Sequence, residues 1–127
     1  MGAATALLYS AIDSKIACLV LDSPYGCLND LALELAEKKS SIIPSFLLSY
    51  VLEYVKEKIK EKTNVNIDEI DTNKVVKNVK VPVIFVTSRQ DTIVRSHHVE
   101  KLYEQYPGHK KLIYLTGEHN EQRTMDF

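Results

Sequence analysis

The chain has no tryptophan, and only two cysteines, two methionines, four glycines and four prolines in 127 residues. So little glycine and proline excludes a collagen-like repeat and leaves no room for long flexible linkers. The cysteines, Cys18 and Cys27, form no C-x-x-C pair and stand in no Cys/His cluster, so no metal ligand set is read and no cofactor is implied. Two thiols suit a reducing compartment, and the expected location is the cytoplasm. An excess of one charge is also missing. Sixteen Lys and Arg oppose 17 Asp and Glu, giving a net charge of −1. Such a chain offers no broad attraction to a phosphate backbone, and nucleic acid is not an expected partner. Long hydrophobic runs are absent as well. The apolar start, Met1-Gly2-Ala3-Ala4-Thr5-Ala6-Leu7-Leu8, has no basic region before it and stops at Ser10. That is too short for a signal peptide or a membrane span, and no stable membrane insertion is expected. The myristoylation pattern fails at the sixth position, which is Ala6.

What remains is an ordinary globular composition, 45% hydrophobic and 26% charged, in a length that suits one domain. Residues 2–11 read as a helix. Ile16 to Leu21 is a continuous apolar run that ends in the turn residues Asp22-Ser23-Pro24-Tyr25-Gly26. A run without alternation predicts a strand buried on both faces. Cys18 then reads as a small core residue and Cys27 as partly exposed. Asn29 or Asp30 can cap a helix to about Lys39, with a break from Ser40 to Pro44. Ser45 to Lys62 is a longer helix with Leu47, Leu48, Val51, Leu52, Val55 and Ile59 at helical spacing. This stripe is expected to pack on the core, with docking on a lipid-like substrate or a membrane surface as the alternatives. After a polar connection, Asp71 can cap a short helix from Thr72 to Asn78. Val81 to Thr87 predicts a second strand, Ser96 the cap of a helix ending near Gln105, and Lys111 to Thr116 a third strand. A last helix is expected after Asn120.

Strands separated by helices predict an α/β fold: a three-layer, mostly parallel sheet of about three strands with helices on both faces. In such a sheet, function gathers at the carboxyl ends of the strands. Asp22, the stretch Ser88-Arg89-Gln90-Asp91 and the stretch Gly117-Glu118-His119-Asn120 occupy those ends. Adjacent parallel strands would set Asp91 beside His119. A carboxylate beside an imidazole is the standard pairing for a general base, because it fixes the tautomer and stabilises the imidazolium.

These residues resemble a family. The sequence looks like the C-terminal half of an α/β-hydrolase, similar to the serine-hydrolase branch that includes the Bem46-like proteins and the depalmitoylases. Met1-Gly2-Ala3-Ala4-Thr5-Ala6 resembles the tail of a G-x-S-M-G-A nucleophile elbow. Leu21-Asp22-Ser23-Pro24 resembles the strand end that follows, Asp91-Thr92-Ile93-Val94 the loop of the catalytic acid, and Gly117-Glu118-His119-Asn120 the loop of the catalytic histidine. The family's chain order is Ser, then acid, then His. The resemblance implies Asp91 and His119 as catalytic acid and base, and Met1 as the remnant of the oxyanion hole. It implies one partial hydrolase domain over 1–127, with 40–71 as a lid-like or cap-like helical insertion, and a small-molecule or acyl substrate for the parent protein.

The resemblance also implies that the nucleophile would immediately precede Met1, and that the family's last helix would continue beyond Phe127. The expectation is therefore a serine-hydrolase fragment, for ester, thioester or amide bonds, that is inactive alone. Ser10, Ser14 and Ser23 read as structural, and Asp22 as a turn cap. His97 and His98 read as helix-start residues, too isolated for a metal. The alternative is a non-catalytic α/β oligomerisation or binding module. In it, the exposed sheet edge at 16–21 pairs with another copy. A phosphoacceptor receiver-like domain fits worst, because its acidic pair and later lysine are missing.

Overall fold

The computed structural model describes residues 2–39 and 44–122. Residue 1, the break at 40–43 and residues 123–127, where the last helix is expected, lie outside that set. The chain divides into two compact units, Met1–Gly26 with Thr72–Phe127, and Cys27–Asp71.

The first unit holds helix α1 (Gly2–Ser10) and strand β1 (Leu19–Asp22). In the same unit, β2 (Val83–Ser88) precedes α5 (Ser96–Gln105) and β3 (Lys110–Leu115). The short helix α4 (Thr72–Val75) also belongs to it and continues as a 3-10 turn, Val76–Asn78. The strands form one parallel sheet in the order β1-β2-β3. Leu19 pairs with Val83 and Leu21 with Phe85, and Phe85 in turn pairs with Leu112. Side chains alternate along a strand, so Leu19, Leu21, Val83 and Phe85 share one face. Leu7 of α1, Val76 and Val79, and Val99, Leu102 and Tyr106 from the α5 region pack with them as the core. In α5 the buried Val99 and Leu102 stand three residues apart, on one helical face. Phe85 meets Tyr103 and Tyr106 edge-on, at centroid distances of 6.0 and 5.6 Å. The buried Tyr106 hydroxyl donates to the Val81 carbonyl. Lys110 Nζ donates to the carbonyls of Tyr103 and Tyr106, closing the C-terminal end of α5. Where the chain re-enters this unit, Thr72 donates twice. Its amide bonds the Gly26 carbonyl at 2.8 Å and its hydroxyl bonds that of Tyr25 at 2.7 Å.

The parallel α/β sheet is as expected from sequence. Three details differ. The first strand is four residues long and alternates buried and exposed, with Val20 at 62% exposure. An edge strand with one face on the core needs no second apolar face. For the same reason Cys18 is exposed rather than a core residue. Ser96 is the first helical residue of α5. The N-cap position belongs to Arg95, which makes no side-chain cap bond.

The second unit contains α2 (Leu28–Lys39), α3 (Ser45–Thr63) and a 3-10 turn (Ile67–Glu69). The apolar stripe of α3 lies on two neighbouring ridges. Leu48 is buried and Leu52 and Ile59 are half-buried, whereas Leu47, Val51 and Val55 are exposed. Helical spacing by itself does not separate the two ridges. Lys56 bridges Glu53 and Asp68, each at 2.8 Å, tying α3 to the turn after it. Asn64, at φ +56°, closes α3 in the left-handed conformation and donates its amide to the Lys60 carbonyl. No helix among the described residues is long and apolar enough to cross a membrane.

Candidate active site

Two loops at the carboxyl ends of β2 and β3 build the site. β2 ends at Ser88, and a turn closed by Asp91 N–H to the Ser88 carbonyl (3.2 Å) delivers Asp91. Asp91 is 3% exposed. Its Oδ1 accepts the amides of Ile93 (2.9 Å) and Val94 (2.8 Å), the local side-chain-to-backbone closure that Asp favours in turns. β3 ends at Leu115, and Gly117 then turns the chain at φ +101°, a region that favours glycine. Gly117 is held at both its polar groups. Ser88 Oγ donates to its carbonyl at 2.5 Å, and its amide donates to Gln90 Oε1 at 2.5 Å. The β2 loop thus grips the β3 loop two residues before His119.

The consequence is direct contact between the expected acid and base. His119 Nδ1 lies 2.6 Å from Asp91 Oδ2. The His119 side chain is 30% exposed and that of Asp91 is fully covered. Burial alone would raise the Asp91 carboxyl. Hydrogen bonds from His119, Val94 and Ile93 outweigh it and hold the group below its ordinary range. Among the described residues, Asp91 is the hydrogen-bond partner of the His119 ring. With Nδ1 committed to the carboxylate, Nε2 is the nitrogen available as a base. Beside the ring lies a cavity of about 360 Å³, lined by Thr92, Ile93, Glu118, His119, Asn120 and Glu121.

The remaining candidates fall elsewhere. Met1 lies outside the described residues. Ser10 is buried and donates to the Leu7 carbonyl of its own helix at 2.7 Å, and Ser14 is exposed. His97 and His98 lie in the first turn of α5. Asp22 Oδ1 is 3.1 Å from Ser23 Oγ, and the same hydroxyl is 3.1 Å from Asp91 Oδ2. Sequence reasoning missed Ser23, Ser88 and Gln90 as members of this cluster. Only their positions at strand ends could have hinted at it.

No protein-family profile and no curated protein matches the chain. Solved structures do. An acetyl xylan esterase from Paenibacillus sp. R4 superposes with a TM-score of 0.63 at 15% identity, over 95% of this chain and 38% of that one. An esterase of Pyrococcus furiosus superposes with a TM-score of 0.58 at 22% identity, over 94% of this chain and 42% of that one. A monoacylglycerol lipase of Paleococcus ferrophilus gives 0.59 at 16% identity, over 93% and 56%. The parallel sheet and its helices therefore correspond to part of the α/β-hydrolase fold. The chain spans between about two fifths and just over half the length of these neighbours.

Proposed function

We propose that Asp91 and His119 are the acid and base of a Ser-Asp-His hydrolase that cleaves ester, thioester or amide bonds. Two of the three members then lie in this chain and none of Ser10, Ser14 and Ser23 serves as the third, so the 127 residues by themselves are expected to be inactive. The observation that carries this reading is the 2.6 Å contact between Asp91 Oδ2 and His119 Nδ1 at adjacent strand ends. It is supported by the esterase and lipase neighbours and by the cavity beside the imidazole. In the complete reaction His119 Nε2 takes the proton of a serine hydroxyl as its oxygen attacks the acyl carbon. The imidazolium, steadied by Asp91, returns that proton to the leaving group, and water then releases the acid.

Fluorophosphonate labelling tests this. The reading expects Gly-x-Ser in frame before Met1 in the transcript. It expects labelling of the polypeptide containing that serine, lost on Asp91→Asn or His119→Ala, and none of the 127-residue chain. Labelling of the shorter chain at Ser10, Ser14 or Ser23 would overturn it.

One observation favours a second reading, a non-catalytic oligomerisation module. β1 is an edge strand among the described residues, and its Val20 is 62% exposed. Such an edge offers unpaired N–H and C=O groups to a second copy. Light scattering that shows a monomer at high concentration would exclude it. A dimer dispersed by Val20→Lys would support it.

A further inference from the structure

Ser23 stands where β1 ends, and it is not an ordinary turn residue. Its φ is +50°, in the region that favours glycine, yet the position holds a serine with 6% exposure. Its amide donates to the Val86 carbonyl at 2.9 Å, locking it to the end of β2. Its Oγ lies 3.1 Å from Asp91 Oδ2, across 68 positions of sequence. A carboxylate offers about four acceptor sites. On Asp91 the amides of Ile93 and Val94 take Oδ1 and the His119 ring takes one site on Oδ2. The Ser23 hydroxyl supplies the fourth donor. A residue kept in a costly conformation, with its side chain aimed at a functional carboxylate, is where local strain and function coincide.

We infer that Ser23 is a positioning residue for the acid–base pair: its hydroxyl holds Asp91 Oδ2 in line with His119 Nδ1. The inference rests on the reading of Asp91 and His119 given above. The hydroxyl has one proton to donate, so Asp22 Oδ1, also at 3.1 Å, competes for it. Donation to Asp91 leaves no hydrogen bond between Ser23 Oγ and the Asp22 carboxylate, and donation to Asp22 releases Asp91 from its fourth restraint.

Two substitutions separate positioning from a merely structural turn. Ser23→Ala removes the hydroxyl and keeps the conformational cost, whereas Ser23→Gly removes both. The readout is solvent exchange of the His119 Nδ1 proton, followed by NMR on the 127-residue chain. In the wild type this proton is protected by Asp91. In both variants exchange is expected to accelerate about tenfold, the loss of one hydrogen bond to a charged group, although Ser23→Gly folds at least as stably as the wild type. Unchanged exchange in Ser23→Gly, with a protected proton in the wild type, overturns the role of Ser23 alone. A wild-type ring with no proton on Nδ1 overturns the acid–base reading as well.

Discussion

Ser88 Oγ donates a 2.5 Å hydrogen bond to the carbonyl of Gly117, fastening the end of β2 to the loop that carries His119. Gly117 itself sits at φ +101°, and a Cβ added there would come within 2.5 Å of Glu121 Oε2. The Glu121 side chain can move, but the backbone cannot relax without breaking the bonds to Ser88 and Gln90. Gly117→Ala is expected to cost about 1–3 kcal/mol in urea unfolding. A loss below about 0.3 kcal/mol would mean that the loop is not held as described.

The core predicts a larger loss at Phe85, which is fully buried and edge-on to two tyrosines. Phe85→Ala should lower stability by about 3–5 kcal/mol. Tyr106→Phe, which leaves the buried Val81 carbonyl without its hydroxyl donor, should cost about 1–3 kcal/mol. Denaturant midpoints at constant slope would measure both.

Acid should unlock the site through Asp91. Its folded-state carboxyl lies below the ordinary value of 3.8 despite the opposing effect of burial. A depressed carboxyl contributes stability that is complete above the unfolded-state value and disappears as pH falls through the folded-state value. Wild-type stability should therefore fall more steeply below about pH 4 than that of Asp91→Asn. Parallel acid limbs for the two proteins would contradict the assignment.

Lys56 gives the opposite dependence in the second unit. Hydrogen bonds from its ammonium to Asp68 and then Glu53 raise it above its ordinary value, burial opposing. This contribution is complete below the unfolded-state value and is lost as pH rises through the folded-state one. Lys56→Met should lower stability at neutral pH by about 1 kcal/mol or less. The difference from wild type should shrink in strong alkali, as circular dichroism during urea titration would show.

Much of this site was legible in the sequence because position and chemistry coincide in it. Asp91 and His119 each stand just past an apolar strand, and adjacent parallel strands bring such loops together. Ser23 was not legible, because its bond to Asp91 joins positions 68 apart and depends on a left-handed φ that no serine advertises. Cys18 and Val20 misled because an apolar run looks the same in an edge strand as in a central one. The exposed ridge of Leu47, Val51 and Val55 misled because it shares its helical spacing with the buried Leu48.

In the proposed acid–base pair, Asp91 commits one ring nitrogen of His119 and leaves the other as a base. Long-range ¹H–¹⁵N correlation spectra of the 127-residue chain, taken where the His119 ring is neutral, test it most directly. The account predicts the proton on Nδ1, with Nε2 bare, and a shift toward the Nε2-protonated tautomer in Asp91→Ala. A wild-type ring protonated on Nε2, unaffected by Asp91→Ala, would contradict it.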